Sequence, residues 1–134
     1  MEQLNELPQG WQWVKLGDVV PQHKRAIKRG PFGSALRKEF FKPTGYKVYE
    51  QKHAIKNNFE IGSYYIDEKK FNELIDFELK SGDILISCSG TIGKIAIVPE
   101  NIERGVINQA LLKITLDEKI IDSKYFFYFL NLKF

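Results

Sequence analysis

The chain has one cysteine and two histidines among its 134 residues. Cys88 has nothing to pair with inside the chain, which excludes an internal disulfide and fits a reducing, cytoplasmic setting. His23 and His53 are the only imidazoles, and there is no Cys-x-x-Cys. The usual zinc frameworks are therefore excluded, and neither a metal nor another cofactor is expected. No apolar run approaches the length of a membrane span, so no membrane partner is expected. The opening MEQLNELPQG lacks the basic and apolar regions of a secretory signal. A hydrophobic content of 43% with 28% charged residues is that of an ordinary soluble globular domain.

What is present centres on Leu79–Ile114. Two short apolar strands, Ile84–Ser87 and Ile95–Val98, flank the tight loop Ser89-Gly90-Thr91-Ile92-Gly93-Lys94. Val106–Ile114 reads as a third apolar run. The loop invites a phosphate-binding reading, but Cys88 stands where a Walker loop has its first glycine. Ile95 follows Lys94, and strand rather than helix comes next. A β-turn shaped by glycine is the better reading. Cys88, ending an apolar strand, reads as a small buried hydrophobe rather than a nucleophile.

A net charge of +3 conceals a segregated distribution. Lys24, Arg25, Lys28, Arg29, Arg37, Lys38 and Lys42 crowd one segment, opposed only by Glu39. Between Glu60 and Glu78 the balance is acidic. This asymmetry suits an anionic partner at the basic end, or else two solvated faces of opposite sign. Within the basic segment, Gly30-Pro31-Phe32-Gly33-Ser34 reads as a loop. Its flanking cations, Ser34 and backbone amides suit a phosphate backbone. Arg25, Arg29 and Arg37 could reach guanine in a major groove.

Elsewhere, Trp11 and Trp13 alternate as in a strand packing both indoles on one face. Leu16, Val19 and Val20 form a helical turn over the core. Tyr46–Tyr49 and Phe59–Ile66 read as strands, with Gln51, Lys52 and His53 pointing outward between them. Asp67–Leu79 reads as a helix capped by Asp67, with Ile66 and Phe71 as its hydrophobic staple. A final helix begins at Asp122 or Ser123. Tyr125, Phe126, Phe129 and Leu130 share one face of it, and so much apolar surface calls for a partner. The chain stops without a helix-ending signal, as if cut from something longer.

Six separated pieces then occur in a telling order. They are Pro8-x-Gly10-Trp11 with Leu16-Gly17-Asp18-Val19; Gly30-Pro31-Phe32-Gly33-Ser34-x-Leu36; Gly82-Asp83-Ile84-Leu85-Ile86-Ser87; Ser89-Gly90-Thr91-Ile92-Gly93-Lys94; Ile107-Asn108-Gln109-Ala110-Leu111; and Tyr125-Phe126-x-x-x-Phe129-Leu130. Over residues 7–132 the chain resembles a target recognition domain of the specificity subunit of type I restriction-modification enzymes.

The resemblance implies an α+β fold, β-rich with flanking helices. Residues 1–122 would form the recognition domain and 123–134 the start of a helical spacer. It implies no catalytic site. The domain would read one half of a split double-stranded DNA site and direct adenine methylation and cleavage by partner subunits. Those partners are modification (adenine methyltransferase) subunits, a restriction subunit, and a second recognition domain or specificity chain, since only one copy of the motifs is present. Lys24, Arg25, Lys28, Lys38 and Lys94 are the expected phosphate contacts. Arg29, Ser34, Arg37, Gln51 and Lys52 are the base-edge candidates. Gly30, Gly33, Gly82, Gly90 and Gly93 shape the loops, and Tyr125, Phe126, Phe129 and Leu130 dock partners. The rival readings are an assembly module with little DNA contact, a Cys88-dependent hydrolase, and a single-strand binder.

Overall fold

The structure is a computed structural model that describes residues 7–23 and 25–133. Its strands are β1 (Ile27–Arg29), β2 (Tyr46–Tyr49), β3 (Tyr65–Ile66), β4 (Ile84–Ser87), β5 (Ile95–Ile97), β6 (Gly105–Ile107) and β7 (Leu111–Ile114). The α-helices are α1 (Gln51–Ile55), α2 (Glu68–Glu73) and α3 (Ser123–Lys133). Four strands form an antiparallel sheet in the order β1-β7-β4-β5, and three form a second sheet, β3-β2-β6. In the smaller sheet β2 pairs with β6 in parallel and with β3 antiparallel. Mixed helices and sheets make the fold α+β, as expected. Among the described residues no helix is long and apolar enough to cross a membrane.

The short strands are apolar on both faces because both faces of each sheet are covered. Tyr49, Leu85, Ala96, Ile107 and Leu111 meet in one core shared by the two sheets. Their neighbours along the strands point the other way. Ile84 and Ile114 pack with Val19, Val20 and Phe126, so that α3 and the segment around Val20 cover the larger sheet. Val48, Ile66 and Val106 pack with Phe71 and Leu74 of the α2 region on the smaller sheet. Period-2 alternation between two apolar environments looks, in sequence, like an unbroken apolar run.

Several sequence expectations need correction. Trp11 and Trp13 are 60% and 53% exposed and lie outside any strand. The run Val106–Ile114 is two strands in different sheets, broken by a turn at Asn108-Gln109-Ala110. Of Phe59–Ile66 only Tyr65–Ile66 is strand, because the preceding backbone is held to α1 by His53. Gln51, Lys52 and His53 lie on α1, and His53 is fully buried rather than outward-facing.

The Asp67 cap is present, its Oδ1 accepting from Lys70 N–H at 2.8 Å, and Ile66 and Phe71 are both buried beside it. The helix nevertheless ends at Glu73 and gives way to a 3₁₀ turn, Ile75–Phe77. Beyond that turn Leu79 N–H donates to Gly105 O at 3.0 Å, a cross-strand bond that a continuing helix would forfeit. Asp122 is the cap of α3, with Oδ1 accepting from Tyr125 N–H at 3.0 Å.

Candidate nucleic-acid interface

Three of the recurring sequence pieces meet at one end of the β4–β7 strand pair. The backbone brings them together first. Gly30 N–H donates to Leu111 O at 2.9 Å, and Cys88 N–H donates to Ala110 O at 2.7 Å. Asn108 N–H reaches Tyr49 O at 3.0 Å, tying the turn to the second sheet. Gly30 lies so close to this turn that a Cβ there would sit 1.7 Å from Asn108 O, inside any van der Waals contact. This glycine is required for close approach of two backbones.

Side chains then lock the loop. Gln109 Oε1 accepts from Gly33 N–H at 2.9 Å, and Gln109 O accepts from Arg29 Nε at 2.8 Å. One guanidinium donor is thus committed and the Nη groups remain for an outside acceptor. Arg29, Gly33, Ser89, Asn108, Gln109 and Ala110 border an open depression of about 460 Å³. Its lining offers a cation, a hydroxyl and two carboxamides, a set suited to base edges and phosphates alike.

The hairpin loop beside it is built on Ser87. The Ser87 hydroxyl donates to Thr91 O and accepts from Lys94 N–H at 3.0 Å, while Gly93 N–H donates to Ser87 O at 2.9 Å. Gly90 and Gly93 sit at φ +64° and +87°, which favour glycine. The strand β5, not a helix, follows Lys94, so the loop is a β-turn and lacks the helix N-terminus of a Walker site. Gly82, at φ +87°, makes the turn before β4.

The other expected DNA-contacting residues divide. Lys38 and Lys94 are exposed, as are Ser34 and Arg37, although Arg37 pairs with Glu39 at 2.8 Å. Arg25 is held by Asp76 at 2.8 Å, and Lys28 is half-buried with Nζ 5.1 Å from the Phe77 ring centroid. Strand alternation turns Lys28 away from the side of Arg29, toward the 3₁₀ turn. Gln51 packs under the hairpin loop: a Cβ on Gly90 would be 3.1 Å from its Nε2, and its Oε1 is buried. Lys52 lies by Glu50 and Tyr64, at 3.4 Å from the carboxylate and 6.0 Å from the ring centroid. Arg25 and Lys52 have partners at the surface, Lys28 is half-buried and Gln51 packs under the hairpin loop, and none of the four lines the depression. Lys24 lies outside the described residues.

On α3, Phe126 is buried, and Phe127 and Leu130 pack on the domain's own core. Of the four expected docking residues, Phe126 is buried and Leu130 half-buried against the domain itself, whereas Tyr125 and Phe129 are exposed. The outward positions are Tyr125, Tyr128, Phe129 and Leu132.

Two imidazole and thiol readings are settled by geometry. His53 Nδ1 accepts from Glu50 N–H at 2.8 Å and Nε2–H donates to Ile61 O at 2.7 Å. Burial pushes its pKa below the ordinary value, and with both nitrogens occupied it is no base for Cys88. The half-buried Cys88 thiol points at Ile86 O, 3.6 Å away.

A second polar cluster occupies the opposite end of the β4–β7 pair and is closed on itself by hydrogen bonds, beside an open depression of about 580 Å³ that Asp83 and Thr115 border. Asp83 Oδ1 accepts from the Thr115 hydroxyl at 2.7 Å and Oδ2 accepts from Lys80 N–H at 2.9 Å. Lys113 Nζ donates to Arg25 O and lies 3.5 Å from Thr115 Oγ1. Burial raises the Asp83 carboxyl above its usual range, against the lowering effect of the Thr115 hydrogen bond. Burial likewise lowers the Lys113 ammonium, against the attraction of Asp83.

Asn108, Gln109 and Ser89 had no role assigned from sequence. The available signal was a polar Asn-Gln pair interrupting an apolar run, which marks a turn but not what the turn holds.

The fold is thus a two-sheet α+β scaffold that presents three loop segments around a depression lined by a cation and carboxamides. Specifically, the chain belongs to the family described as type I restriction modification DNA specificity domain, which matches residues 8–134. No curated protein matches the chain. A solved chain from work on complex assembly and conformational transition of the type I R-M system is 18% identical, with a TM-score of 0.65. That likeness covers 95% of this chain and 28% of the other. The HsdS subunit from Thermoanaerobacter tengcongensis is also 18% identical, with a TM-score of 0.62, over 94% of this chain and 28% of the other. These likenesses establish the fold. The present chain spans less than a third of either structure.

Proposed function

We propose that this chain reads one half of a split double-stranded DNA site within a type I restriction-modification complex. It would itself be non-catalytic, acting in the cytoplasm. Modification subunits would methylate adenine and a restriction subunit would cleave where it directs them. The observation that carries the reading is the meeting of Arg29, Ser89, Asn108 and Gln109 around one depression, on loops whose sequence neighbours Arg37, Lys38 and Lys94 are exposed. Membership of a DNA specificity domain family supports it. Residues 1–122 are proposed as the recognition domain and 123–134 as the start of a spacer, with a second recognition domain or specificity chain completing the site.

The test is selection from a random duplex library at low salt, then anisotropy on the enriched duplex across a salt series. The expected result is a short enriched motif, weakened by Arg29→Ala. If Arg29, Arg37, Lys38 and Lys94 each neutralise one phosphate, log K falls against log salt with a slope of about −3.6. Failure to bind any duplex would sink the reading. The second reading, an assembly module, is favoured by the outward row Tyr125, Tyr128, Phe129 and Leu132 on α3. Association lost on Tyr128→Lys, with no salt-dependent DNA binding by the wild type, would select it.

A further inference from the structure

Two large apolar side chains stand beside the depression without cover. Phe32 is 80% exposed and Ile92 is 73% exposed. Phe32 directly precedes Gly33, and Ile92 lies in the loop that Ser89 opens; Gly33 and Ser89 both line the depression. Apolar residues scattered singly over a surface call for no explanation. These two are held out by built loops. Phe32 follows the buried Pro31 and precedes the amide bound by Gln109 at 2.9 Å. Ile92 sits on the turn that the Ser87 hydroxyl closes through Thr91 O and Lys94 N–H. Neither loop is positioned to fold its tip back onto the core without breaking those bonds.

The surroundings select the occupant. Arg29 borders the same depression, Lys94 belongs to the loop that carries Ile92, and exposed Arg37 and Lys38 follow the Phe32 loop in sequence, with Glu39 on Arg37 as the opposing acid. A partner must therefore be strongly anionic and yet offer apolar surface at the same place. Nucleic acid does both, since phosphates border bases whose faces and thymine methyl groups are apolar.

We propose that Phe32 and Ile92 are apolar base contacts, pressing on the bases of the bound duplex while the neighbouring cations hold its phosphates. This rests on the DNA-recognition reading and adds a contact whose strength does not come from charge. Contacts to phosphate release counterions and contacts to apolar base surface do not, so the two kinds separate on a salt axis.

The experiment uses the full chain and the duplex enriched by selection, with anisotropy across a salt series. Phe32→Ala and Ile92→Ala should each weaken binding about tenfold, a loss on the scale of one apolar side chain leaving water. The slope of log K against log salt should stay at its wild-type value. Lys94→Ala should instead reduce that slope by about one. Phe32→Leu, which keeps an apolar tip, should retain most of the affinity. Thermal midpoints should be unchanged, since both side chains are exposed.

Replacing thymine by uracil weakens the wild type but not the alanine variants if the contact is to a thymine methyl. A rise in 2-aminopurine fluorescence in the wild-type complex alone marks contact with the face of an opened base step. Either pattern supports the proposal. Unchanged affinity in both alanine variants overturns it while leaving the DNA reading intact. A loss accompanied by a flatter slope also overturns it, because the side chains would then be placing cations. A wild type that binds no duplex at any salt overturns both.

Discussion

The β4–β7 strand pair carries a polar cluster at each end, and the two could hardly differ more. At one end Asp83, Thr115 and Lys113 are drawn into a knot of internal bonds, with Asp83 and Lys113 almost completely buried beside a depression of about 580 Å³. At the other, Arg29, Ser89 and Gln109 stay exposed around an open depression. Both use carbonyls and hydroxyls of the same two strands' flanking turns. The closed end satisfies its charges internally, through Thr115 Oγ1 and Arg25 O. The open end satisfies its backbone and leaves side-chain donors facing out. Charge in this fold therefore serves as an internal fastening on one side and stays open to an outside partner on the other.

The strongest way to break the contrast is at the closed end. Lys113→Ala deletes a long, almost completely buried side chain and its bond to Arg25 O, and should lower unfolding free energy by about 2–5 kcal/mol in urea denaturation. A loss below about 1 kcal/mol would show that the knot is not a fastening. Next in size is Gly30→Ala, whose methyl group meets Asn108 O. A cost of about 1–3 kcal/mol is expected, together with loss of duplex binding, because the loop must leave the turn. Stability and binding intact together would contradict the packing.

Gln109→Ala is a smaller and more selective change. It removes the acceptor for Gly33 N–H at an exposed site, so stability should fall by about 1 kcal/mol or less. Discrimination between the selected and a scrambled duplex should fall about tenfold, by the loss of one ordered contact. Equal loss on both duplexes would make Gln109 a general structural residue.

The smallest effect is on pH dependence. The folded pKa of Asp83 lies above its ordinary 3.8, so between the two values the folded state binds the extra proton. Stability from this group therefore falls as pH rises from 3.8 through the folded value. Asp83→Asn should remove that fall, seen as a wild-type-minus-variant difference in unfolding midpoint across mildly acid pH. An identical pH profile in the two proteins would contradict it.

Much of this was legible from the residues. The hairpin of Ile84–Ser87 with a strand from Ile95, one residue shorter than the expected Ile95–Val98, the Asp67 cap and the turn glycines Gly82, Gly90 and Gly93 follow from local rules of turn and helix chemistry. Arg29 and the loop 30–34 could be marked as a candidate recognition element because charge and glycine lie together in sequence. What could not be read was partnership across long sequence separations. Nothing local says that Arg25 meets Asp76, or that Lys28 lies over Phe77, and so the basic segment looked more uniform than it is. Gln109 was hidden for the same reason, since its two partners lie on another segment. Trp11 and Trp13 misled because alternation alone does not say that a face is covered.

The parallel pairing of β2 with β6 and the joining of β1 to β7 also set a timetable. Lys47 faces Gly105 and Ile27 faces Ile114, contacts that close most of the chain into loops. Pairings this distant in sequence are slow, whereas the β4–β5 hairpin is local and fast. During synthesis the basic loop at 30–34 must wait for residues 108–111 before Arg29 and Gly33 find their acceptors. The proposed reading surface is thus among the last parts to be assembled. In refolding experiments, duplex binding should lag behind the recovery of backbone structure, so that incomplete chains carry the loop's charge but not its geometry.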